Sequence, residues 1–195
     1  VNWWIKVRRA HAVLPVALAA YGLLLLVGNT TTSVPSISLG SIVQARVVLL
    51  APIPLTTGLF FCLESRLLHQ EKTAVQPVRL LDALLIFTAV GASVLLAALF
   101  GFASGSGDIA AAGRNTLFLT GLLLILRPVI HQGAAVVPMA WLILVLLMGY
   151  RSPQDPYPWT VLPEPMGAPH AAASAAAVFA AGMFIQFFFR PKRVL

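Results

Sequence analysis

The sequence predicts an all-α fold, a polytopic integral membrane helical bundle of about six transmembrane helices with N- and C-termini cytoplasmic. Three observations predict it: the apolarity of the 195-residue chain, the grouping of its apolar residues into runs of bilayer length, and the uneven placement of its basic residues. Hydrophobic residues make up 59% of the chain and charged residues 10%, whereas soluble domains run to about half apolar and a quarter charged. A chain this short has a large surface for its volume, so a soluble version would need more charge, not less. Lipid is the simplest partner for the excess.

The N-terminal residues Trp3, Trp4, Lys6, Arg8 and Arg9 read as an interfacial anchor, with rings at headgroup level and basic groups on anionic lipid. They could also open a secretory signal, and Ala17, Leu18 and Ala19 offer a small-x-small triplet. The apolar run nevertheless continues through Leu26 and Val27, where a cleaved signal would have ended. An uncleaved first span is expected.

A spanning helix needs about 20 predominantly apolar residues. Five runs supply this, at 10–28, 47–63, 83–103, 133–150 and 171–189. The remaining segment, 114–131, contains a short apolar stretch from Thr116 to Leu126. It spans only if Arg127 is carried into the cytoplasmic half and snorkels to the headgroups, with Pro128 bending the helix; the alternative is a re-entrant segment. Loop charges favour spanning. With six alternating helices, Lys6, Arg8, Arg9, Arg66, Lys72, Arg79, Arg127, Arg190, Lys192 and Arg193 fall inside, against Arg46, Arg114 and Arg151 outside. Short loops obey this positive-inside imbalance, and five spans would export the basic tail. The whole chain, 1–195, then reads as one transmembrane domain in the cell (cytoplasmic) membrane.

The external segments have their own character. Residues 29–45 are rich in Thr, Ser and Gly, and 104–113 form a loop of small residues. The external loop 151–170 is Pro-rich, which favours turns and extended backbone. Tyr150, Tyr157 and Trp159 belong at the interface. Within the spans, Cys62 stands alone in an apolar run and acts as a small hydrophobe. Pro52, Pro54 and Pro138 bend helices, with Thr56 and Thr57 able to satisfy freed carbonyls. The alanine-rich stretch from Ala171 to Ala177 allows close helix approach, within the chain or against another subunit.

On the cytoplasmic side, segment 64–80 places Leu67, Leu68, Ala74 and Val75 on one helical stripe. Such an amphipathic segment can lie on headgroups or dock into a groove on a partner protein.

Several activities are excluded or weakened. The net charge of +7 is explained by loop anchoring at an anionic surface, and no nucleic-acid partner is expected. No Gly-x-x-x-x-Gly-Lys-Ser/Thr loop exists to bind ATP. Histidines at i, i+4 occur nowhere, so no metal is expected. Ser93 lies within a span while His11, His69, His131 and His170 sit near span ends, so Ser93 reads as bonded to its own backbone. Glu64 and Asp82 border spans and do not lie mid-membrane, which argues against a stand-alone proton-coupled carrier.

A basic interfacial N-terminus, six spans, an amphipathic segment between the second and third, and a polar region before the sixth resemble the permease subunits of ATP-binding cassette exporters. The type resembled is the drug-, lipid- and polysaccharide-export class. At residue level, Glu71, Lys72 and Thr73 followed by Pro77, Val78 and Arg79 resemble the acidic-then-Pro-x-Arg arrangement around that family's coupling helix. Residues 115–122, with Pro138 and Gly149 downstream, are similar to small bacterial permeases of this type. The resemblance implies a dimer with a second permease copy or a paralogue, and cytoplasmic ATPase subunits that bind ATP and Mg. This chain itself would bind no cofactor and catalyse no reaction, moving a drug-, lipid- or peptide-like substrate, as in multidrug or antibiotic efflux. The implied ATPase-docking residues are Arg66, Leu67, Leu68, Glu71, Lys72, Val75 and Arg79. Other classes are an assembly or sensory subunit of a larger membrane complex, and an intramembrane enzyme relying on Ser93 or a histidine.

Overall fold

A computed structural model of the chain describes residues 8–38, 40–65, 78–152 and 155–188. The architecture is helical, with two small two-stranded hairpins at one end. The elements are α1 (Ala10–Leu26), β1 (Thr31–Ser36), β2 (Ser41–Arg46), α2 (Pro52–Glu64), α3 (Val78–Ser104), α4 (Gly107–Ile130), α5 (Val137–Met148), β3 (Tyr150–Ser152), β4 (Asp155–Pro156) and α6 (Pro169–Phe188). Short 3-10 turns lead into α2 at Val47–Leu50 and into α5 at His131–Val136.

Among the described residues, four helical runs are long and apolar enough to cross a membrane: Val47–Glu64, Val78–Ser104, Gly107–Met148 and Pro169–Phe188. The helix Ala10–Leu26 is apolar but shorter, at 17 residues. Large apolar side chains turn outward along these helices, among them Val16, Leu23, Phe61, Leu84, Phe87, Leu95, Leu99, Phe102, Ile143 and Phe184. Surfaces so continuously apolar do not face water in a monomeric soluble protein.

The run Gly107–Met148 is folded on itself. The rings of Phe118 and Trp141 are 5.4 Å apart, whereas a straight helix would separate them by about 35 Å along its axis. The reversal occurs where α4 ends at Ile130 and His131 takes a positive φ of 48°. Segment 114–131 is therefore one full limb of a helical hairpin. The helix starts at Gly107, seven residues before the expected segment, because Gly107 to Gly113 are already helical.

That extension corrects the expected small-residue loop at 104–113. Helix α3 runs to Ser104 and α4 begins at Gly107, so the chain turns within two residues. Gly105 supplies the required positive φ of 63°. The composition serves packing instead: a Cβ added at Gly101 would lie 2.8 Å from the Ala110 Cβ. The segment 29–45 is likewise not an open loop but chiefly the β1–β2 hairpin, paired antiparallel from Thr31 with Arg46 to Ser36 with Ser41. Its alternating pattern buries Val43 and Ala45. The Leu147 carbonyl accepts from the backbone N–H groups of Ile37 and Ser38, which ties the hairpin to the end of α5.

Helix α4 is the axis of the bundle, packing chiefly on α3 and α6 and also touching α2 and α5. Its crossing with α6 is glycine on glycine. A Cβ at Gly121 would meet the Val178 and Phe179 backbone at 2.6 Å, and one at Gly182 would meet the Gly121 carbonyl oxygen at 2.7 Å. The alanine-rich stretch thus finds an intramolecular use, with Ala171 and Ala175 buried in the same core cluster as Phe118 and Leu119 of α4. Helices α1 and α2 approach through Gly58, whose added Cβ would lie 2.8 Å from the Ala17 Cβ. Prolines 52 and 138 open helices rather than bend them, since the first turn needs no N–H there.

Candidate functional site: two polar clusters at opposite ends of the bundle

An arginine in hydrocarbon must find acceptors inside the protein or reach the headgroups. Arg8, Arg114 and Arg127 all find them inside. Arg8 is 1% exposed. One of its nitrogens donates to the Leu63 carbonyl at 2.7 Å, and the other reaches the Asp82 carboxylate at 2.8 and 2.9 Å. This corrects its expected place among the lipid-facing anchors. Asp82, in the first turns of α3, offers a buried anion to the approaching guanidinium. Arg9 is exposed, whereas Trp3, Trp4 and Lys6 lie outside the described residues.

Arg127 does not snorkel. It donates to the same Leu63 carbonyl at 2.8 Å, lies 3.4 Å from the Glu64 carboxylate, and donates to Gln186 Oε1 at 3.3 Å. The Leu63 carbonyl is one of the orphan acceptors that every helix C-terminus leaves. Here two arginines from different elements close on it. Arg79 adds a bond to the Phe187 carbonyl, 2.8 Å away, near the end of α6. The ends of α1, α2, α3, α4 and α6 are thereby gathered into one clasp. The docking residues Arg66, Leu67, Leu68, Glu71, Lys72 and Val75 lie outside the described residues, in the stretch that joins α2 to α3. Both acids flanking that stretch, Glu64 and Asp82, belong to the clasp.

At the other end, Arg114 is drawn into the protein by three carbonyls, those of Val161, Glu164 and Pro165, at 2.6 to 2.9 Å. Asn115 donates to the Leu162 carbonyl at 2.9 Å and accepts from Arg114. The Pro-rich loop is therefore docked on α4 by its backbone. Prolines cannot donate, but their loop's carbonyls remain free to accept. Val161, with a positive φ of 53°, turns those carbonyls toward Arg114.

A cleft of about 240 Å³ opens beside this loop, lined by residues that include Gln44, Arg46, Asp108, Asn115, Tyr150 and Glu164. Arg46 and Asp108 form an ion pair across it. His170 and Glu164 approach to 3.4 Å. Burial pushes the Tyr150 phenol above its ordinary pKa.

The remaining polar residues in the helices behave as local structure. Ser93 donates to the Val90 carbonyl at 2.7 Å, and Thr56 to the carbonyls of Pro52 and Ile53. Cys62 is buried without a disulfide. Among the described residues, no group of three His, Cys, Asp or Glu side chains is placed to hold a metal.

Two signals in the sequence marked these clusters. Arg114 and Arg127 stand at either end of an apolar stretch, which marks each as a charge that must reach an acceptor or the headgroups. The partners carried no signal, because most are backbone carbonyls contributed from 47 to 64 residues away. Compared with protein-family models, with curated proteins and with solved structures, the chain finds no match in any of the three.

Proposed function

We propose that this chain is the membrane-spanning subunit of an ATP-binding cassette exporter, working with a separate ATPase and a second permease copy or paralogue. All six helices cross the cytoplasmic membrane in this reading, α1 as a short span and α4–α5 as a spanning hairpin. Both termini then lie on the cytoplasmic side with the clasp. The alternation of helix ends supports it: residues 8, 63, 82, 127 and 187 meet at one end, and the β-hairpins and the Pro-rich loop lie at the other.

The clasp carries the proposal. An ATPase bound to the 66–77 stretch pushes on residues bracketed by Glu64 and Asp82, and each acid is tied to an arginine of another element. A displacement there is passed to α1, α3 and α4 without relying on lipid-exposed contacts. Rigid elements with two packed arrangements convert such a push into opening and closing of a path. Substrate passes between the two permease copies.

The test uses the full chain co-expressed with an ATP-binding cassette ATPase subunit from the same genome. Leu68→Asp and Val75→Asp place charge on the docking stripe, and the expected result is loss of ATPase from the purified complex while the permease still folds. Retention of ATPase at normal stoichiometry overturns docking through this segment. Purification of the unaltered chain with an unrelated complex and no ATPase overturns the export reading itself.

A further inference from the structure

Arg8 and Arg9 are neighbours in sequence with opposite fates. Arg8 turns inward to Asp82, whereas Arg9, held at a positive φ of 50°, is left exposed where α1 begins. Its guanidinium has no partner among the described residues. The acids of the clasp are already engaged, Asp82 by Arg8 and Glu64 by Arg127. Helix α1 also starts with no side-chain cap and no acidic residue in its first turn, so the positive end of its dipole adds to the guanidinium. Among the described residues, nothing balances this charge.

Within one helical turn of Arg9, an apolar groove of about 400 Å³ opens between α1 and α2. Ala17 and Gly58 form its floor. A Cβ added at Gly58 would lie 2.8 Å from the Ala17 Cβ, so the two helices already touch and cannot close the groove by moving together. Val13, Val16, Ala20 and Pro54 line it above that floor, and no lining side chain offers a hydrogen bond. Left empty, such a surface forfeits its dispersion contacts, and a hydrocarbon chain restores them. Groove and charge lie end to end, so the occupant that fits both has a long apolar part and an anionic head. A second copy fits less well, because two copies meeting through this face about a two-fold axis would bring Arg9 towards Arg9.

We propose that the α1–α2 groove holds one acyl chain of an anionic membrane phospholipid whose phosphate rests on Arg9. A zwitterionic phospholipid has the same chains but carries its own ammonium group, so it gains less from the guanidinium. The site does not depend on the export reading, since it requires only that α1 and α2 lie in a bilayer.

The full chain in detergent, mixed with equal amounts of phosphatidylglycerol and phosphatidylcholine, is read by native mass spectrometry for retained lipid. Phosphatidylglycerol is expected to be retained over phosphatidylcholine by about fivefold, the worth of one basic residue at an anionic surface. Arg9→Gln removes that preference, whereas Arg151→Gln, which deletes an equal charge at the other end of the bundle, preserves it. Val16→Trp fills the groove and releases the lipid, whereas Phe102→Trp, on an exposed position elsewhere, retains it. Thermal unfolding of each variant shows that it folds. Equal retention of the two lipids, a preference that survives Arg9→Gln or vanishes in Arg151→Gln, or lipid retained by folded Val16→Trp overturns the proposal. So does a dimer that Val16→Trp splits into monomers, which would put a second copy in the groove. None of these outcomes bears on ATPase docking.

Discussion

The ion pair between Arg8 and Asp82 permits a quantitative test of what holds the helix ends together. Both side chains are almost fully buried, 1% and 2% exposed, so solvent screens neither. Arg8→Met removes the cation and leaves a carboxylate inside the protein. Losing one member of a buried pair costs about 3–5 kcal/mol. Loss of the bond to the Leu63 carbonyl belongs to the same change, although Arg127 still donates to that oxygen at 2.8 Å. Asp82→Leu leaves the buried guanidinium without its carboxylate, although the bond to the Leu63 carbonyl remains. The double variant removes both charges, and apolar replacements for a buried pair are often neutral. Its cost should therefore fall well below the sum of the two single costs, by roughly 2 kcal/mol or more. Equilibrium unfolding of the four proteins in mixed micelles, titrated with denaturing detergent, measures the cycle. Single costs that add to within about 0.5 kcal/mol would show that the pair is not coupled and that the clasp is a coincidence of placement.

Three further outcomes follow from the geometry. Gly121→Ala should destabilise by about 1–3 kcal/mol, because its Cβ meets α6 backbone that cannot rotate away, whereas Gly22→Ala, with open space around it, should be tolerated; the pair is compared by thermal unfolding. Arg114→Met should cost about 3 kcal/mol or more by leaving buried carbonyls unpaired, and should expose the 155–168 loop to protease while the helices persist. The raised pKa of Tyr150 makes the folded state hold its proton more tightly than the unfolded chain does. That contribution is complete below the unfolded value of about 10 and is lost as pH rises through the folded one, so Tyr150→Phe should flatten the decline in stability measured at alkaline pH.

Much of the fold was legible in advance because hydrocarbon leaves so few options. An apolar run of bilayer length must be helical, since no water is present to satisfy its backbone. Hence 83–103 and 171–189 correspond closely to α3 and α6. Small residues misled. At 104–113 they read as a loop, yet Gly101 and Ala110 are small so that α3 and α4 can touch. Composition alone does not separate a turn from a close helix crossing, because both need the absence of a side chain.

The sequence by itself determined a chain that belongs in lipid, where its apolar runs lie, and that the arginines at 114 and 127 must be satisfied internally or at an interface. Only the tertiary structure decided which. Arg8, Arg114 and Arg127 turn inward because carbonyls left over at a helix end and along a proline-rich loop lie within hydrogen-bond reach. Such acceptors belong to the backbone, which every residue carries alike, so no residue type announces them. Position in space, set by glycine crossings and helix reversal, selects which carbonyls meet which charge.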